Sequence, residues 1–190
     1  MNPLTDINGR ERTAPASAGT APGWPRWLVP SVADLICICL FISLSVALGR
    51  KLLGDAGIGW HIRTGEMILR TGSIPRVDSF SSIMSGKPWY AWEWLYDVAI
   101  GTVHRASGLN GVVAFTALVI AVTFALGFRM MRQRGTSLPI AVIMVLLAVS
   151  ASSIHFLARP HVISWLLTVI WFWALDTFEQ DGNARRLRAA

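Results

Sequence analysis

Four apolar runs set the pattern of the chain, at about 32–48, 112–128, 138–157 and 162–178. Each comes close to the roughly 20 residues that a helix needs to cross the hydrocarbon core of a bilayer. None alternates with the period of two expected of a barrel strand. Unsatisfied backbone groups in hydrocarbon cost several kcal/mol each, so the runs predict helices. The expected class is an all-α integral membrane protein with four transmembrane helices.

Between the first two runs lies a long polar segment, 49–111, in place of the short turn that would join two spans. Its first part predicts a helix over Gly59–Thr71, with Ile58, Ile62, Gly65 and Leu69 on the apolar face and Arg63, Glu66 and Arg70 in water. Glu66 and Arg70 have the spacing of an i, i+4 ion pair. Gly72 is placed to end this helix, and Pro75 prevents its resumption. Asp78, Ser79 and Gly86 then supply loop and turn chemistry. The stretch "PWYAWEWLYDV" opens a second helix reaching about Ala106, which "GLNG" ends before the second span. Trp89, Tyr90, Trp92, Trp94 and Tyr96 read as an interfacial aromatic belt. The segment is thus expected to be an extracytoplasmic loop carrying two helices that lie on the membrane.

Composition agrees with lipid. The 190 residues are 53% hydrophobic and 15% charged, with mean hydropathy +0.50, too apolar for an ordinary soluble domain. Residues 1–28, rich in Ala, Pro, Ser and Gly, predict a disordered tail, and 179–190 a short second tail. The polar leader before the first run is too long for a cleaved signal peptide, so that run is expected to be retained. Cys37 and Cys39 project about 160° apart on a helix and read as small apolar filler.

The net charge of +6 first suggests nucleic acid. The basic residues are scattered around apolar spans, however, and form no single soluble face, so no nucleic-acid partner is expected. They mark topology instead. Arg10, Arg12 and Arg26, the turn "RMMRQRG" with Arg129, Arg132 and Arg134, and Arg185, Arg186 and Arg188 fall on one side of the spans. That side is expected to be cytoplasmic, with both termini there and the chain multi-pass in the inner (plasma) membrane. The 49–111 segment holds seven Lys or Arg and five acids, so the asymmetry is not a clean one.

The candidate chemistry clusters in the loop and in one opposing turn. Asp55 follows the first span among Gly54, Gly57 and Gly59, which leave backbone room for a substrate. A carboxylate there suits a general base or a divalent-cation ligand, and a solvated carboxylate at a helix end would look the same. His61 suits phosphate binding, proton transfer or a plain interfacial hydrogen bond. Arg159, in "ARPH" beside His161, suits a phosphate clamp or a snorkelling cation. Glu93, Asp97 and His104 fall within about 40° on one helix face, as a metal or acid-base cluster would, or as the polar stripe of an amphipathic helix would.

At "DAGIGWHIRTGEMIL", "GSIPRVDSFS", "GKPWYAWEWLYDV" and "ARPHVISWLL" the chain resembles the amino-terminal part of bacterial membrane glycosyltransferases of the C type, which include protein mannosyltransferases and lipid A aminoarabinose transferases. The resemblance covers roughly 35–178. It implies transfer of a sugar from a polyprenyl-phosphate-linked donor to an acceptor outside the cytoplasm. Asp55 would be the catalytic base or a metal partner. Arg159 would contact the donor phosphate, with Arg63 and His161 beside the substrate, and His61, Glu66 and Glu93 match the loop pattern. A divalent cation is the cofactor implied, yet Gly57 stands where such enzymes often carry a second acid. They also have seven or more spans, so this chain is expected to be a fragment, a truncated frame or one half of a split system, inactive without further helices or a partner subunit. The alternative is a small membrane scaffold or interaction subunit without catalysis. A transporter fits less well, because the spans carry almost no ionisable residues away from their ends.

Overall fold

The computed structural model describes residues 30–181, which from Ser31 onward belong to one compact unit. The predicted tails, with the terminal arginines, lie outside the described residues, apart from the first positions of the second tail. The described chain is helical, with one isolated bridge and no strand.

Ser31 opens α1 (Val32–Ile42) with a reciprocal cap: its hydroxyl accepts from the Asp34 N–H while the Asp34 carboxylate accepts from the Ser31 N–H. A π-helical turn, Ser43–Ala47, follows, and the short α2 (Gly49–Leu52) ends the first apolar run. α3 (Gly57–Thr71) closes on Gly72, whose φ of 67° is the left-handed cap expected there.

The second surface helix and the second span follow one another within α4 (Trp94–Gln133) as two helical arms that meet at a kink, as expected. The first arm stops at Gly108, the first residue of "GLNG", whose φ of 61° and ψ of −159° are non-helical and set the kink before the second arm begins. α5 (Leu138–Ser152) continues as a 3₁₀ turn over Ser153–His155, and α6 (Pro160–Asp181) returns beside α4.

Three helical stretches, Trp94–Gln133, Leu138–His155 and Pro160–Glu179, are long and apolar enough to cross a membrane. The first run, Val32–Ala47, is shorter. At 1.5 Å per residue it spans about 24 Å, against about 30 Å of hydrocarbon core. α4 is the central helix. In its most apolar window 56% of residues are buried, against 11% in α5 and 6% in α6.

The core runs along α4 in three clusters. At the end bearing the "RMMRQRG" turn, called here the arginine end, Ala33, Phe128, Ala141 and Val145 pack together. Leu44, Leu52, Ala117, Ile120, Phe156 and Val162 fill the middle. At the opposite, loop end, Ile58 and Ile62 of α3 meet Tyr96, Ile100 and Val112 of α4 and Ala158. Tyr96, expected in the aromatic belt, is therefore a core residue.

α3 and the first arm of α4 cross at two glycines. A side-chain carbon on Gly65 would run into the Asp97 carbonyl, and one on Gly101 would lie 2.9 Å from the Glu66 nitrogen. The glycines thus let the two backbones touch. The buried face of α3 is Ile58, Ile62, Gly65 and Ile68, with Leu69 37% exposed where the helix period had put it inside. The loop beyond folds into a small hairpin. The Asp78 N–H donates to the Lys87 carbonyl, the Trp89 N–H to that of Arg76, and Phe80, edge-on, and Trp89, tilted, pack against Trp60 of α3.

Candidate functional site

Two residues singled out 104 positions apart meet at the loop end. After α2 the chain turns through Gly54, and the Ala158 N–H donates to the Leu52 carbonyl at 2.8 Å, so the 156–159 turn is tied to the end of the first apolar run. That tie sets Arg159 over Asp55. Nη2 donates to Oδ1 at 2.7 Å, and Nε stands 2.5 Å from Oδ2, close in distance but off the line of its N–H. The Gly57 N–H also donates to Asp55 Oδ1, at 2.7 Å. The Arg159 hydrogen bond first, and then that of Gly57, hold the Asp55 carboxyl below the usual carboxylate range. At neutral pH Asp55 is a carboxylate in a half-open ion pair, its side chain 24% exposed and that of Arg159 41%.

Gly57 is part of this geometry. A carbon there would lie 2.5 Å from Arg159 Nη2 and 3.1 Å from Asp55 Oδ1. The guanidinium thus occupies the space that a side chain at 57 would need, a second acid included. This bears on the divalent cation. Both Asp55 oxygens face Arg159, Gly57 offers no ligand, and no three His, Cys, Asp or Glu gather among the described residues. The one carboxylate on offer is already engaged by a guanidinium, which makes this donor set a poor fit to a hard cation seeking six or more oxygens.

Beside the pair, His61 stands on α3 with its ring edge-on to Tyr96, centroids 5.2 Å apart. Its Nδ1 is 2.7 Å from Oδ1 of Asp97, which is 3% exposed. A carboxylate only accepts, so the proton of this bond sits on Nδ1 and Nε2 is left for another partner. Further along the crossing, His104 Nδ1 donates to Glu66 at 2.8 Å, and Arg63 Nη1 reaches the same carboxylate at 3.4 Å. The expected Glu66–Arg70 pair gives way to these two. Asp97 and His104 do share a face of α4, as their spacing implied, but that face turns toward α3 and each finds its own partner there. Glu93, at the start of α4, is exposed and caps nothing with its side chain.

The structure therefore joins Asp55 with Arg159 and sets His61 near them, while separating the other candidates. Arg63, Glu66 and Glu93 are not in contact with the Asp55 pair. His161 turns back into its own hairpin, where Nε2 donates to the His155 carbonyl at 2.7 Å and the ring meets Trp165. Tyr96 is the residue that sequence reasoning missed. It is 6% exposed, packs with Ala158 and His61, and its hydroxyl has no partner among the described residues. Its place in a run of aromatic residues hid it.

No protein-family model, curated protein or solved structure matches the chain. The arrangement itself is what can be read: an ionised carboxylate held by a guanidinium, at the end of apolar helices, with an unpartnered phenol and a polarised imidazole close by.

Proposed function

We propose that the chain is the amino-terminal membrane module of a polyprenyl-phosphate-dependent glycosyltransferase of the C type. In this reading all four apolar runs span the inner membrane, 49–111 lies outside the cytoplasm, and the donor cavity is completed by further helices of the same chain or of a partner subunit. The observation that carries the proposal is the Asp55–Arg159 pair, formed between the two segments the resemblance assigns to acceptor and donor.

In the resting state Arg159 masks Asp55. A donor phosphate competes for the guanidinium with bidentate, charge-assisted hydrogen bonds of its own. Once Arg159 turns to the phosphate, Asp55 loses the partner that depresses its basicity and accepts the proton of the acceptor hydroxyl. The hydroxyl oxygen bonds to the anomeric carbon, the carbon–oxygen bond to phosphate breaks, and polyprenyl phosphate leaves with its charge on Arg159. No step uses a metal ion.

The test is transfer of radiolabelled sugar from a polyprenyl-phosphate donor, assayed in membranes that contain the complete assembly. Asp55→Asn is expected to lower the rate about 10²–10⁴-fold, the usual scale for a general base, with membrane insertion intact. Unchanged transfer would dismiss Asp55 as catalytic.

The scaffold reading has its own support. Asp55 and Arg159 already satisfy one another, as a purely structural tie would, and Trp92 stands 83% exposed at the start of α4. On that reading Asp55→Asn is silent in function, and Trp92→Ala weakens capture of a membrane partner.

A further inference from the structure

At the arginine end, α5 and α6 both pack on α4, but their backbones nowhere come within 8 Å of each other among the described residues. The wedge between them is closed toward the loop end, where Phe156 packs against Phe124 and Trp165 with centroids 5.9 and 6.3 Å apart. Below that aromatic roof it opens into a cavity of about 560 Å³, walled by Phe124, Met131, Met144, Val145, Val169 and Phe172. Arg134 and Asp176 stand at its mouth and pair with each other, Arg134 Nε donating to Asp176 at 2.9 Å.

We propose that this wedge binds one acyl chain of an anionic phospholipid from the leaflet at the arginine end, with the lipid phosphate on Arg134. Depth is the first argument. The lining of α6 runs from Thr168 to Asp176, about 12 Å at 1.5 Å per residue, close to the roughly 15 Å of hydrocarbon in one leaflet. A tail entering beside Arg134 would thus end under Phe156.

Charge is the second argument. Arg134 has five N–H donors and Asp176 takes two of them, which leaves a face of the guanidinium for phosphate. Arg129 and Arg132, on the last turns of α4, line a separate groove with Ser31 and Ala33, and Arg129 acts on Asp34 there, so in the wedge it is the Arg134 guanidinium that meets a headgroup. A cation at headgroup depth favours anionic over zwitterionic lipids. The methionines are the third argument, since flexible thioethers line surfaces that accept a mobile, unbranched ligand. The inference requires the helices to lie in a bilayer, and is independent of sugar transfer.

Native mass spectrometry of the detergent-extracted full chain, titrated with phosphatidylglycerol or with phosphatidylcholine of the same acyl chains, tests it. The wild type is expected to keep one phosphatidylglycerol about fivefold more tightly than phosphatidylcholine, the scale of one cation at a membrane surface. Arg134→Gln should erase that preference. Ala148→Trp, which fills the wedge, should expel both lipids, while Leu147→Trp, outside the lining, should leave binding unchanged. Should Ala148→Trp fail to fold, Ala148→Leu is expected to weaken retention of both lipids in its place. Equal retention of the two lipids by the wild type, undiminished lipid on a folded Ala148 variant, or a lipid-free dimer crosslinked through Ala148→Cys would each overturn the proposal.

Discussion

Asp55 and Arg159 illustrate what a residue's neighbours in sequence can and cannot tell. Glycines around Asp55 and the brevity of the "ARPH" turn mark each residue out, but their meeting depends on the Leu52–Ala158 backbone bond, which no local pattern encodes. The pair has a pH signature. The folded Asp55 carboxyl loses its proton more readily than the unfolded one, so its stabilising contribution is complete above the ordinary value of 3.8 and disappears as the pH falls through the lower folded value. Asp78, held by Ser81 and Phe80, acts in the same direction. The melting midpoint should therefore drop as the pH falls below about 4, and Asp55→Asn should remove part of that drop. Gly57→Ala should push Arg159 away and return Asp55 toward its ordinary titration, as infrared spectroscopy of labelled carboxylates would register.

The helix α3 was legible as an element because its period and its Gly72–Pro75 stop are local signals. Its exact face was less so, with Ile68 taking the buried place assigned to Leu69, because the angle of its crossing with α4 is set at Gly65 and Gly101. The same crossing decides which polar groups pair. Glu66 leaves Arg70 for His104, and Asp97 meets His61, since a contact across two helices outcompetes an exposed i, i+4 pair worth a few tenths of a kcal/mol. The two kinds of glycine in α3 should respond oppositely to alanine. Gly65→Ala forces the backbones apart and should destabilise the protein by about 1–3 kcal/mol or more. Gly59→Ala meets nothing within 4 Å and should stabilise it by about 0.5–1 kcal/mol. Thermal melts of the two variants in one detergent would separate them.

Across the whole molecule, hydropathy and the glycine punctuation located the long helices, but not how they pack. The second surface helix and the second span meet at Gly108, whose non-helical backbone kinks the chain between them, at the stop that "GLNG" marks. The first arm of α4 carries the His61 partner and Arg134 caps the end of the second, so both proposed sites border the same central element. The functional reading requires that these ends lie on opposite sides of the membrane, with Asp55 facing outward. Labelling by a membrane-impermeant thiol reagent in intact cells, on single cysteines placed in a background with Cys37 and Cys39 replaced, tests this most directly. The account predicts that Ser82→Cys in the hairpin loop reacts at once and Gln133→Cys reacts only after the cells are permeabilised. Labelling in the reverse order would put Asp55 and Arg159 on the cytoplasmic face and contradict it.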